Sequence, residues 1–99
     1  MLKGVLIADD SAIVRNVMKI FVEHRPNVSI CGEAVNGLEA VEKARMLKPD
    51  LVILDFAMPG MNGAEVARLL KKEMPGVPII LFTMYGDDIG DYLTLFDRR

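Results

Sequence analysis

Four oxygen-bearing side chains directly follow three apolar runs of this sequence. They are Asp9 and Asp10 after residues 5–8, Asp55 after residues 51–54, and Thr83 after residues 79–82. If these runs are parallel strands, their carboxyl ends meet at one edge of the sheet, which is where open α/β sheets bind ligands. We therefore expect a single pocket that gathers three carboxylates and one hydroxyl group.

Three carboxylates in one pocket repel each other, so either one of them holds a proton or a cation neutralises them. Mg²⁺ suits this set because it is a hard divalent ion that prefers oxygen ligands. The backbone carbonyl of Ala57, in the loop after Asp55, is a candidate for a further ligand. With the metal bound, Asp55 can act as a nucleophile toward phosphorus, and Thr83 can hydrogen-bond a phosphoryl oxygen.

The composition indicates one soluble globular domain. The chain has 99 residues, of which 52% are hydrophobic and 26% charged, and this balance argues against disorder. A net charge of -2 without a basic stripe predicts neither nucleic acid nor membrane as a direct partner. The only cysteine, Cys31, excludes an intrachain disulfide and suits a cytoplasmic location. The first apolar run is too short for a signal peptide.

Strand-like and helix-like patterns alternate along the chain. Short apolar runs predict strands near residues 5–8, 28–34, 50–54 and 77–83, and apolar spacings of three and four predict helices near residues 12–22, 38–47 and 64–73. Repeated βαβ units have right-handed crossovers that place helices on both faces of the sheet. The pattern predicts an α/β fold with a flavodoxin-like, three-layer, doubly wound parallel sheet in strand order 2-1-3-4.

The last segment, residues 89–99, fits two structures. Ile89, Tyr92, Leu93 and Phe96 are spaced as on one face of a helix. The alternative is a strand over residues 92–96, which would have to pair antiparallel because residues 84–91 are too few for a parallel crossover. We predict the helix, and we divide the chain into a domain core at residues 1–88 and an atypical helical tail at residues 89–99.

The combined motifs resemble the receiver domain of two-component response regulators. The resemblance covers about residues 3–88 and rests on Asp9-Asp10-Ser11, on Asp55 with Met58-Pro59-Gly60-Met61-Asn62-Gly63, and on Thr83. It implies that Asp55 accepts a phosphoryl group from a histidine kinase. It also implies that Asp10 and Asp55 ligate Mg²⁺ directly, that Asp9 acts largely through water, and that Ala57 contributes its backbone oxygen.

The resemblance further implies a switch that reports phosphorylation to a downstream effector protein or output domain. Thr83 occupies the position of the family's switch hydroxyl, and Tyr85 is a candidate for the adjoining output surface. Such a module is not an enzyme beyond its own Mg²⁺-dependent phosphorylation.

Two features depart from the family. Met84 stands where the family has a small residue, and no lysine follows Lys72, although the family's fifth strand ends in a lysine that pairs with the phosphoryl group. We therefore expect an incomplete receiver, truncated or altered at its C-terminus, with an unpaired fourth strand. An unpaired apolar edge predicts a homo-oligomer that forms through residues 77–83 or through the tail.

The missing lysine leaves a second function open, in which a phosphorylation-impaired receiver fragment acts as an oligomerising interaction module. Two enzyme classes are disfavoured. An aspartyl phosphohydrolase would need an acidic residue where Ala57 stands, and a dinucleotide-binding enzyme would need a Gly-x-Gly-x-x-Gly motif after the first strand.

Overall fold

Strands and helices alternate along the chain in the computed structural model, which describes the backbone of residues 2–85 and 88–95 and the side chains of residues 2–82. The elements are β1 (Lys3–Ala8), α1 (Ala12–Glu23), β2 (Val28–Ala34), α2 (Gly37–Leu47), β3 (Leu51–Asp55), α3 (Gly63–Glu73), β4 (Ile79–Tyr85) and β5 (Asp88–Leu95).

All five strands form one sheet in the order β2-β1-β3-β4-β5. The first four strands are parallel, and the helices between them supply the crossovers that parallel pairing requires. The predicted flavodoxin-like order 2-1-3-4 is confirmed. In this order β1 and β3 lie side by side, so the residues that follow them meet at one edge of the sheet.

The prediction of a helical tail was wrong. Residues 88–95 form the strand β5, which pairs antiparallel with β4, for example through Leu81 with Thr94. Two physical reasons favour the strand. Gly90 weakens a helix, and the edge of β4 offers a row of backbone N–H and C=O groups with which a neighbouring strand can pair. The predicted helical residues 96–99 lie outside the described residues.

Because β5 covers β4, the predicted unpaired fourth-strand edge does not exist in the described sheet. The expected homo-oligomer through residues 77–83 therefore loses its structural basis. On this side of the sheet β5 is the edge strand, and β4 lies between β3 and β5.

Two hydrophobic layers flank the sheet. Helices α2 and α3 pack on one face, where small residues such as Ala40, Ala44 and Ala67 allow the helices to approach the strands closely. Helix α1 packs on the opposite face, through Val14, Met18 and Val22. Within the described residues, this second face is thus covered by a single helix.

Candidate functional site

Asp9, Asp10 and Asp55 converge at the carboxyl ends of two adjacent strands. Asp55 is the last residue of β3, Asp9 directly follows β1, and the two strands are paired up to Ala8 and Leu54. One carboxylate oxygen from each aspartate lies within 4.8 Å of the other two. Asp9 and Asp55 are buried and Asp10 is exposed, so the cluster opens to solvent on one side.

Backbone N–H groups orient both buried carboxylates. The Ser11 N–H donates to Asp9 Oδ1 at 2.8 Å, and the Ala57 N–H donates to Asp55 Oδ1 at 3.2 Å. In each case the donor lies two residues after the aspartate, which is the short turn that aspartate side chains commonly form. The chain therefore turns away from the sheet directly after each aspartate while the carboxylate stays at the edge.

The electrostatics of the cluster favour a proton or a cation. Burial raises the pKa of Asp55 to about 6; the negative charge of Asp9 adds to this effect, whereas the Ala57 N–H opposes it. Burial also raises the pKa of Asp9, against the opposing hydrogen bond from Ser11. Such mutual repulsion in an all-oxygen donor set is the environment that a hard divalent cation relieves.

The loop after Asp55 is held at both of its ends. The Phe56 N–H donates to the carbonyl of Phe82 on β4 at 2.7 Å, and the Gly63 N–H returns to the Phe56 carbonyl at 2.8 Å. Asn62 and Glu65 form a capping box, in which each side chain accepts a hydrogen bond of 2.9 Å from the other's backbone N–H. The loop is thereby fixed between β3 and α3.

Gly63 has to be a glycine for reasons of space. A Cβ atom at this position would collide with the backbone oxygen of Asp55, and it would lie 2.7 Å from the side chain of Leu81. The start of α3 can therefore approach the carboxyl end of β3 only because residue 63 has no side chain.

The other predicted site residues lie near the same edge. Ala57 is exposed, and its N–H contacts the Asp55 carboxylate. Thr83 follows Phe82, the β4 partner of Asp55, and itself pairs with Tyr92 on β5. Tyr85 ends β4 and pairs with Asp88. The side chains of Thr83 and Tyr85 are outside the described part of the structure, so their predicted roles remain predictions.

Arg15 contacts the backbone of the aspartate cluster, which the sequence pattern did not reveal. Its Nη1 donates to the backbone carbonyl of Asp9 at 2.8 Å, and its Nε lies 2.9 Å from Glu33 Oε1 on β2. Lys19 contacts the other oxygen of Glu33 at 2.7 Å. Lys19 and then Arg15 lower the pKa of Glu33. In the sequence, Arg15 and Lys19 are simply two basic residues four positions apart, and this spacing usually marks the solvent-exposed face of a helix.

Comparison with known proteins places these features in a family. The model of the response regulator receiver domain matches residues 5–95. Two protein-glutamate methylesterase/protein-glutamine glutaminases are similar: one from Methanosarcina acetivorans is 45% identical over 79% of this chain, and one from Methanosarcina mazei is 36% identical over 83%. The chain spans only 22% of the length of each.

Solved structures give the same result. The response regulator domain of Thermotoga maritima CheB superposes with a TM-score of 0.78 at 40% identity, over 84% of this chain and 61% of that one. The receiver domain of RcsB from Salmonella enterica, solved with the phosphomimetic BeF3-, gives a TM-score of 0.79 at 27% identity, over 88% and 65% of the two chains.

Among the described residues, no helix is long and apolar enough to cross a bilayer.

The strand order, the three converging aspartates and the family match over residues 5–95 agree with one another. This chain belongs to the response regulator receiver domain family and is a phosphoryl-accepting module of two-component signalling.

Proposed function

We propose that Asp55 is the phosphoryl acceptor of this receiver and that the donor is the phosphohistidine of a histidine kinase. The observation that carries this proposal is the convergence of the Asp55 carboxylate with those of Asp9 and Asp10 within 4.8 Å at the carboxyl edge of the sheet. The family match supports it over a module that acts only by interaction.

The proposal includes Mg²⁺ at the aspartate cluster. Asp10 and Asp55 would ligate the ion directly, Asp9 would act largely through water, and the backbone carbonyl of Ala57 would complete the protein ligands. The fit is supported by the all-oxygen donors and by the raised pKa values of Asp9 and Asp55, which are caused first by burial and then by the neighbouring carboxylates. When bound, Mg²⁺ would neutralise charge on the transferring phosphoryl group.

In the proposed reaction, a carboxylate oxygen of Asp55 attacks phosphorus as the bond between phosphorus and the donor imidazole nitrogen breaks. The imidazole leaves with the bonding electron pair, and Asp55 becomes an acyl phosphate. The Ala57 N–H, which already donates to Asp55 Oδ1, fixes the orientation of the nucleophile. Since the pKa of Asp55 is about 6, its carboxylate is mainly ionised at neutral pH and able to attack.

The output of the module is also part of the proposal. Thr83 would hydrogen-bond the new phosphoryl group. The resulting conformational change would reach an effector protein or output domain through the surface near Tyr85. The chain spans 22% of the length of each of the two methylesterases, and the output would come from a partner protein or an output domain outside the receiver. A cytoplasmic location is supported by a single cysteine in an apolar stretch.

Intact-mass analysis after incubation with Mg²⁺ and phosphoramidate tests the proposal. We expect one added phosphoryl group on the wild-type chain and on Glu42→Gln, a control that removes an exposed carboxylate of α2 outside the cluster. Asp55→Asn should gain none, and chelation of the metal should prevent the reaction. An adduct on Asp55→Asn would place the acceptor elsewhere, and no adduct on the wild type would favour the interaction module.

A further inference from the structure

Arg15 connects the first turn of α1 to the aspartate cluster. Its guanidinium group uses two different nitrogens, because Nη1 donates to the backbone carbonyl of Asp9 at 2.8 Å and Nε donates to Glu33 Oε1 at 2.9 Å. The rigid fork of N–H donors on arginine allows both bonds at once. Only 15% of the Arg15 side chain is exposed, so the guanidinium group lies mainly within the protein.

Glu33, the anionic partner of Arg15, is itself fixed. It lies on β2, where its backbone pairs with Ile7 of β1. The ammonium group of Lys43 on α2 donates to the Glu33 carbonyl, and Lys19 contacts its second carboxylate oxygen at 2.7 Å. Arg15 is therefore anchored to a residue whose backbone belongs to the sheet.

The bond from Arg15 fixes the peptide that joins Asp9 to Asp10. The Asp9 N–H donates to the Ala34 carbonyl at 3.0 Å, and Asp9 Oδ1 accepts from the Ser11 N–H at 2.8 Å. The Asp9 carbonyl, which Arg15 holds, belongs to the next peptide. Because a peptide group is planar, the orientation of this carbonyl sets the direction in which the chain continues to Asp10.

We propose that Arg15 is a positioning residue for Mg²⁺ binding, whose guanidinium fork fixes the Asp9–Asp10 peptide and thereby holds the Asp10 carboxylate beside that of Asp55. This inference rests on the proposed function, in which Asp10 and Asp55 ligate the ion directly. Groups that orient metal ligands without touching the metal change its affinity by roughly ten- to a hundredfold when they are removed.

Charge and position have opposite effects on Mg²⁺ binding when Arg15 is lost. Arg15 is a cation close to a cation site, so removal of its charge alone would tighten Mg²⁺ binding. Loss of the bond to the Asp9 carbonyl frees Asp10 and weakens Mg²⁺ binding. Lys19 is a charge-matched control, because among the described residues its ammonium group contacts Glu33 and not Asp9.

Titration of the isotope-labelled chain with Mg²⁺, followed by the NMR signals of the backbone amides, measures the affinity. Arg15→Met keeps an unbranched apolar stem and should weaken Mg²⁺ binding about tenfold. Lys19→Met should bind Mg²⁺ at least as tightly as the wild type. Wild-type affinity in Arg15→Met, or an equal loss in Lys19→Met, would overturn the proposal.

A measurement without metal separates this inference from the proposed function. The order parameter of the Asp10 amide, obtained by NMR relaxation, should fall from about 0.85 in the wild type to below about 0.6 in Arg15→Met. It should stay at the wild-type value in Lys19→Met. An unchanged order parameter in Arg15→Met would contradict the positioning role. If the wild type binds no Mg²⁺, the proposed function fails, and this measurement alone decides whether Arg15 fixes the peptide.

Arg15→Lys provides a second variant in case Arg15→Met does not fold, which circular dichroism would reveal. It leaves the net charge unchanged, so a change in Mg²⁺ affinity has to come from geometry. Lysine lacks the fork, and its ammonium group should stay with the Glu33 carboxylate rather than with the neutral Asp9 carbonyl. We therefore expect weaker Mg²⁺ binding and a less ordered Asp10 amide. Wild-type values of both in Arg15→Lys would refute the role of the fork.

Discussion

Asp9 and Asp55 lie side by side at the carboxyl ends of β1 and β3, where burial and then the charge of Asp9 raise the pKa of Asp55 to about 6. The proximity of these two buried carboxylates destabilises the metal-free protein at neutral pH, because no cation then compensates their negative charge. The energetic cost at this edge is consistent with a site selected for binding rather than for stability.

The metal-free protein should therefore lose stability as the pH rises from about 4.5 to about 7. The folded-state pKa of Asp55, about 6, is above its ordinary value of 3.8, so the folded chain retains a proton that the unfolded chain has lost. The stabilisation is complete below the unfolded-state pKa and disappears as the pH rises through the folded-state pKa. The expected change is on the order of 2 kcal/mol, measured by urea unfolding in a chelator. Asp55→Asn should flatten the profile, and an unchanged slope would contradict this assignment.

Mg²⁺ should raise the midpoint temperature of unfolding at neutral pH. A ligand that binds only the folded state adds about 2.7 kcal/mol of stability at a concentration 100 times its dissociation constant. Calorimetry with Mg²⁺ and with a chelator measures the difference. Glu42→Gln should respond like the wild type, whereas Asp55→Asn should show a much smaller gain. An equal gain in all three proteins would mean that the ion binds outside the aspartate cluster.

Gly63→Ala should destabilise the protein by about 2 kcal/mol, as overpacking at a tight contact usually does. The added methyl group would collide with the backbone of Asp55, so the phosphorylation rate should fall as well. Gly76→Ala is the matched control, because a Cβ atom there has no neighbour within 4 Å. Chemical denaturation measures both variants, and equal stabilities would refute the steric argument.

Asn62→Ala should cost about 1 kcal/mol, because it removes the side chain that accepts the Glu65 N–H at the start of α3. Asn62→Asp keeps an acceptor oxygen and should retain most of the stability. Thermal unfolding of the three proteins provides the comparison. If the aspartate variant were as unstable as the alanine variant, the cap would not be the source of the effect.

The sequence was sufficient to predict the parts of the fold that depend on local patterns. Continuous apolar runs marked the parallel strands, and the βαβ alternation led to the order 2-1-3-4. Ser11 is of a residue type that favours helix N-caps, and its hydroxyl accepts the Val14 N–H at 3.3 Å at the start of α1. The convergence of Asp9, Asp10 and Asp55 followed from the same topology, because parallel strands end at a common edge.

Features that depend on distant contacts were not predictable in this way. The apolar spacing from Ile89 to Phe96 favoured a helix, but pairing with β4 determined the structure of residues 88–95. Likewise, the contact of Arg15 with the Asp9 carbonyl depends on how α1 lies across the end of β1. The exposure of Ile13 and Phe21 on α1 depends on what else covers that side of the helix, which helical periodicity alone does not indicate.

The most direct test of the phosphoryl-acceptor assignment is chemical trapping of the acyl phosphate. The chain is incubated with Mg²⁺ and phosphoramidate, reduced with borohydride, which converts an aspartyl phosphate to homoserine, and then mapped by peptide mass spectrometry. The proposed function predicts homoserine at position 55, and none when Mg²⁺ is chelated. Homoserine at position 9 or 10, or no trapped product in the presence of Mg²⁺, would contradict the assignment of Asp55.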